Sequence, residues 1–103
     1  MKDELRTITK ILEISTIHIT EKDNEKLKTI KINDEDMWVI KHVFGFIILI
    51  NTEEFEEMKR EYSNYGLSNS FIEILEIAKR NKCQYINIDR DNTIYNDLEK
   101  YNW

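Results

Sequence analysis

Met37-Trp38-Val39-Ile40-Lys41-His42-Val43 and Phe46-Ile47-Ile48-Leu49-Ile50 are two apolar runs separated only by Phe44 and Gly45. β-Branched and aromatic residues dominate both, as in strands. The connection is too short to hold a helix, so the two runs are expected to pair as an antiparallel hairpin. Downstream, Asn51 or Thr52 caps a helix whose first turns carry Glu53, Glu54, Glu56 and Glu57, matching the positive end of the helix dipole. Phe55, Met58 and Tyr62 fall at i, i+3 and i+7 and give that helix one apolar face, and Gly66 ends it. Ser70 and Glu73 have capping-box spacing for a further helix, Phe71 to Asn81. Its core stripe is Phe71, Ile74, Leu75 and Ala78, with Glu76 placed to pair with Arg80 on the wet side. Gln84 to Asp89 alternates around Tyr85, Ile86 and Ile88 and reads as a last strand.

Upstream of the hairpin, Thr9 to Ile19 carries apolar residues on both faces of an extended chain, the pattern of a central strand. Residues 2 to 8 form either a helical turn or the start of that strand. Thr20, with Asp23 three residues on, caps a charged helix to about Thr29, and Asn33-Asp34-Glu35-Asp36 is an acidic turn. The tail from Asp91 is polar but ends in Tyr101 and Trp103, so it is expected to pack back on the body. The order strand-helix-strand-strand-helix-helix-strand predicts an α+β fold: a two-layer sandwich with helices on one face of a mixed sheet of about four strands. If the first and last strands lie side by side, Ser15 to His18 come near Asp89. At 103 residues the chain, 1–103, has room for one domain.

Composition narrows the function classes. The chain is 41% hydrophobic and 34% charged, as in a globular protein, with no proline and two glycines. No apolar run approaches the roughly 20 residues of a membrane helix. The start, Met1-Lys2-Asp3-Glu4, lacks the apolar core of a signal peptide, and the single cysteine, Cys83, fits a reducing compartment; a cytoplasmic location is expected. The net charge is −5, and most of the acidic excess lies after Thr52. Lys79-Arg80 with Lys82 is the nearest approach to a basic cluster, so direct nucleic-acid binding is not expected.

His18 with Asp89 and Asp91 is the most suggestive chemical set. Two carboxylates and an imidazole suit a divalent metal or acid–base chemistry, and Asp89 and Asp91 share a face of an extended strand. The plainer reading is that the two acids shape a strand exit, with Arg90 pairing to one of them, while His18 makes one hydrogen bond. Asp89 to Thr93 faintly resembles a calcium loop but has Ile94 where glycine is needed and Lys100 where the closing glutamate is needed, which rejects it. Cys83 has no paired base in sequence, and His42 alternates with apolar neighbours as a structural histidine does. There is no glycine-rich phosphate loop, no Gly-x-Ser-x-Gly elbow and no Cys-x-x-Cys pair. No cofactor and no metal site is expected. The aromatics carry a different signal, because Tyr and Trp are enriched at interfaces. Glu53, Glu54 and Glu57 with Tyr62, Tyr65, Tyr101 and Trp103 are the expected partner-binding set, an acidic and aromatic face; the plainer alternative makes about half of the aromatics Tyr62, Tyr65, Tyr95, Tyr101, Trp38 and Trp103 core and the acids a solvated helix end.

Three stretches, Leu12-Glu13-Ile14-Ser15-Thr16-Ile17-His18-Ile19-Thr20, Phe44-Gly45-Phe46-Ile47-Ile48, and Cys83 to Asp91 running on to Tyr101-Asn102-Trp103, occur in the order of a known family. The chain resembles the small family of unknown function with an Ile-Ser-Thr-x-His-Ile-Thr signature and an Asp-Arg-Asp stretch before a terminal aromatic-x-Trp, typical of plasmids, phages and other mobile elements. His18, Asp89, Arg90, Asp91 and Trp103 transfer as signature positions without an assigned role. The helix at 53 to 62 and the loop Ser63 to Asn69 have no place in that pattern. The context implied by the resemblance is inhibition of a host defence system. The expectation is a non-enzymatic protein-binding inhibitor of anti-CRISPR or anti-restriction type, whose acidic surface binds a nuclease effector and blocks nucleic-acid loading or cleavage. The alternatives are a small metal-dependent or acid–base enzyme acting on nucleotides through His18, Asp89 and Asp91, and a structural or regulatory module that homodimerises through a strand edge.

Overall fold

The computed structural model describes residues 8–31 and 37–103. The expected turn at residues 33–36, and the segment 2–8 apart from its last residue, lie outside the described residues. Strands β1 (Ile11–Ser15), β2 (Val39–His42), β3 (Gly45–Leu49) and β4 (Tyr85–Asp89) form one sheet in the order β1-β4-β3-β2. β1 runs parallel to β4, and the other two pairings are antiparallel. Helices α1 (Glu21–Thr29), α2 (Phe55–Tyr65) and α3 (Asn69–Arg80) complete a two-layer α+β sandwich, with its helices on one face of this mixed four-stranded sheet.

The register explains the layer. Leu12, Ile86, Ile48 and Val39 stand in one row across the strands, and Ile14, Ile88 and Phe46 in the next. All but Leu12 are buried, and they pack on the apolar stripes of the helices: Leu27 of α1, Phe55, Met58 and Tyr62 of α2, Phe71, Ile74, Leu75 and Ala78 of α3. Those two longer stripes are the ones their spacing predicts. The other face of the sheet presents Ile40, Ile47, Leu49 and Tyr85, all half-buried. A polar ladder crosses it, in which His42 and Asn87 hydrogen-bond at 3.1 Å and Asn87 and Asn92 both donate to Glu13.

Several boundaries differ from expectation. β1 is an edge strand of five residues, because at Ser15 the chain turns into a short 3₁₀ segment, Thr16–His18. Ser15 caps that turn through Oγ, which accepts from the Ile17 N–H, while its own N–H donates to the Thr93 carbonyl. β4 takes the central position instead. α2 starts at Phe55, since Asn51 Oδ1 accepts from the Glu54 N–H and closes a preceding turn. α3 starts earlier than Ser70 and Glu73 indicate, with Ser68 as its cap. Glu76 pairs with Lys59 of α2 at 2.9 Å rather than with Arg80, tying the two helices together. The Thr20–Asp23 capping box of α1 forms as expected.

Both glycines have a steric reason. Gly66 sits at φ 106° as the left-handed cap of α2, a conformation that costs other residues about 1–2 kcal/mol. Gly45 pairs with Asp89, and a Cβ there would stand 1.9 Å from the Ile88 carbonyl oxygen. No helix among the described residues is long and apolar enough to cross a membrane.

Candidate partner-binding groove

The segment from Ser15 to Ile19 is the dock for the C-terminal tail. Ser15 bonds to Thr93, the Ile17 carbonyl accepts from the Tyr101 N–H at 2.8 Å, and the Ile19 carbonyl accepts from Trp103 Nε1 at 3.0 Å. His18 is 1% exposed and holds the tail with both ring nitrogens. Nε2 accepts from the Tyr95 N–H at 2.9 Å, so Nδ1 carries the proton and donates to the Glu99 carbonyl at 2.7 Å. The expectation that the tail packs back is met, and the Ile-Ser-Thr-x-His-Ile stretch and the terminal aromatic-x-Trp are two halves of one contact.

β1 and β4 are neighbours and Ser15 is in register with Asp89, but His18 does not join the aspartates. Asp89 Oδ1 accepts from the Asp91 N–H at 2.8 Å, and the Asp89 carbonyl accepts from the Asn92 N–H at 3.0 Å. The carboxylate therefore shapes the turn that launches the tail. Asp91 is exposed and reaches Arg90 Nε only at 4.0 Å. Among the described residues no three His, Cys, Asp or Glu side chains converge. Cys83 is buried at the entry to β4.

The other expected site residues separate into four places. Tyr62 is fully buried, its ring 5.2 Å from that of Phe71, and so lies inside the core rather than on a binding face. Tyr65 hydrogen-bonds Thr29 at 2.6 Å beneath the Lys26 ammonium. Glu53, Glu54 and Glu57 line a shallow hollow at the start of α2 whose rim includes Arg60 and Lys79. Their acidity is partly offset there: Arg60 pairs with Glu57, and Lys79 sits 4.7 Å from the Phe55 ring centre. Tyr101 and Trp103 line a different and larger groove. The expected single acidic and aromatic face is thus two surfaces, because sequence proximity to acids does not fix which side of the molecule the tail reaches.

That groove, about 650 Å³, lies between the β2–β3 turn, the Ser15–Ile17 segment, Arg90 and the tail. Four of the six large apolar side chains exposed among the described residues line it: Val43 (87%), Phe44 (45%), Ile94 (55%) and Trp103 (49%). Lys28, Lys41 and Arg90 are its cations, and its described lining residues include no Asp or Glu side chain. The turn is held firmly. The Phe44 N–H donates to His42 Nδ1, the Phe44 carbonyl accepts from the Arg90 N–H, and the Arg90 guanidinium lies 5.0 Å from the Phe44 ring centre. Residues 15–17, 44–46, 90 and 101–103, which lie far apart in sequence, all meet here. Val43, Phe44 and Ile94 were not singled out from sequence, yet one signal was present. A two-residue hairpin turn normally takes Gly, Asn or Asp, and two large apolar residues at its tip break that chemistry without serving the core. Neither has a positive φ.

Residues 11–103 match a family described as "Family of unknown function (DUF5983) C-terminal domain". No curated protein and no solved structure matches the chain.

Proposed function

The chain belongs to the DUF5983 family of unknown function, and from that premise we propose that it is a non-enzymatic protein-binding inhibitor, carried by a mobile element and acting in the bacterial cytoplasm on a nuclease effector of a defence system. The observation that carries the reading is the groove, where exposed Val43, Phe44, Ile94 and Trp103 gather on one surface. Trp, Tyr and Arg dominate interface hot spots, and Trp103, Tyr101 and Arg90 stand together here. The supporting observation is that His18 and Asp89 serve the fold, the ring nitrogens and the Asp89 carboxylate being bonded to backbone, while the Asp91 side chain stands exposed. The inhibitor seats the groove on the effector and blocks nucleic-acid loading or cleavage by occupancy. Carboxylates at the start of α2 assist encounter with a basic nucleic-acid channel, an effect that weakens with salt.

The test is a pull-down of purified CRISPR and restriction nucleases with the full chain, followed by cleavage assays. One nuclease is expected to be retained and slowed, and Trp103→Ala is expected to relieve both effects. A panel that is neither bound nor slowed refutes the inhibitor reading.

A further inference from the structure

The groove is charged against the trend of the molecule. The chain carries −5, while Lys28, Lys41 and Arg90 line this surface and its described lining residues include no Asp or Glu side chain. Charge of one sign in a concave surface focuses the local potential. None of the three cations is fully committed elsewhere. Lys28 pairs with Glu25 at 3.1 Å between side chains that are both more than half exposed, a contact readily exchanged. Lys41 Nζ donates to the Ile30 carbonyl at the end of α1, which uses one of three ammonium hydrogens. Arg90 is exposed, stacks on Phe44 and, among the described residues, meets a carboxylate only at Asp91, 4.0 Å away.

We propose that the groove takes an extended protein segment in which an apolar or aromatic side chain is flanked by carboxylates. This rests on the protein-binding reading above and names the chemistry of its partner. The apolar side chain packs among Phe44, Ile94 and Trp103, whose ring is fixed by the Nε1 bond to Ile19. The flanking carboxylates meet Arg90, whose planar fork matches a carboxylate in two hydrogen bonds, and Lys28. Single-stranded nucleic acid also favours cations beside aromatic rings. Two observations favour the peptide. Val43 and Ile94 offer aliphatic contact rather than a stacking face, and the molecule's net negative charge opposes a long polyanion.

The experiment pans a library of random peptides about twelve residues long against the immobilised full chain, then measures selected peptides by fluorescence anisotropy. Selected peptides are expected to combine Asp or Glu with Trp, Phe or Leu. Arg90→Glu and Trp103→Ala are expected to weaken them about tenfold each, and Lys22→Glu, outside the groove, to leave them unchanged. If Arg90→Glu fails to fold, Lys28→Glu, a surface change, carries the test with a loss of about threefold. No enrichment, enrichment of basic peptides, or acidic peptides that ignore the groove variants overturns the proposal. So does oligothymidylate binding that competes with the peptides and is lost with Arg90→Glu, which assigns the groove to single strands. The two readings fail separately. A nuclease inhibited equally by Arg90→Glu and Trp103→Ala leaves the inhibitor standing and removes the groove. Acidic peptides held in the groove with no nuclease affected does the reverse.

Discussion

His18 shows how a chemically suggestive residue is absorbed by the fold. Its two hydrogen bonds reach backbone groups 77 and 81 residues away. Removing the ring orphans a donor at Tyr95 and an acceptor at Glu99 and leaves a cavity. His18→Ala is expected to cost about 2–4 kcal/mol in urea unfolding and to speed amide exchange at Tyr95 and Tyr101. Exchange at those amides that stays at the wild-type rate would contradict the clamp. Gly45 is the other singular residue. A Cβ directed at the Ile88 carbonyl cannot be accommodated without parting β3 from β4, so Gly45→Ala is expected to cost about 3 kcal/mol or more. Lys59 has its pKa raised from 10.5 by hydrogen bonds to Glu76 and then Glu56. A folded-state pKa above the unfolded value gives stabilisation that is complete below 10.5 and disappears as pH rises through the folded value. Glu76→Gln is expected to move the Lys59 titration, followed by NMR, back toward 10.5 and to reduce the alkaline loss of stability.

At the scale of elements, the helix starts are coupled through one carboxylate. Asp23 is 1% exposed and completes the capping box of α1. Its Oδ1 also accepts from the Ser68 N–H at 2.8 Å, and its Oδ2 from the Ser68 hydroxyl at 2.6 Å. Ser68 Oγ in turn accepts from the Phe71 N–H at the start of α3, and Tyr101 OH donates to Ser70 nearby. One side chain therefore fixes two helix ends and, through the serines, part of the tail. Asp23→Ala is expected to cost about 3 kcal/mol, well beyond the typical 1 kcal/mol of a single cap, measured by thermal and urea unfolding. The α1 box was legible because its partners are three residues apart. The α3 cap was not, because the group that favours Ser68 over Ser70 comes from 45 residues upstream. Likewise β1 stops at Ser15 because Thr93 and the tail claim the backbone beyond it, which no local pattern of Ile and Thr announces.

At the scale of the molecule, stability and recognition use different atoms of the same tail. Trp103 contributes one hydrogen bond to Ile19 while half its surface stays open to the groove. Trp103→Ala is expected to lower stability by about 1 kcal/mol and to weaken partner binding about tenfold, compared by unfolding and by titration calorimetry. The sequence by itself determined the order of elements, the hairpin, the apolar stripes of α2 and α3 and the return of the tail. Each follows from periodicity, capping spacing or chain length within a few residues. Only the tertiary structure decided that His18 is a clamp and that Trp103 faces cations rather than the glutamates of α2. Those outcomes depend on the parallel register of β1 with β4 and on where the tail crosses them. Contacts between residues so distant in sequence are selected by packing of the whole chain, and local propensity carries no record of them.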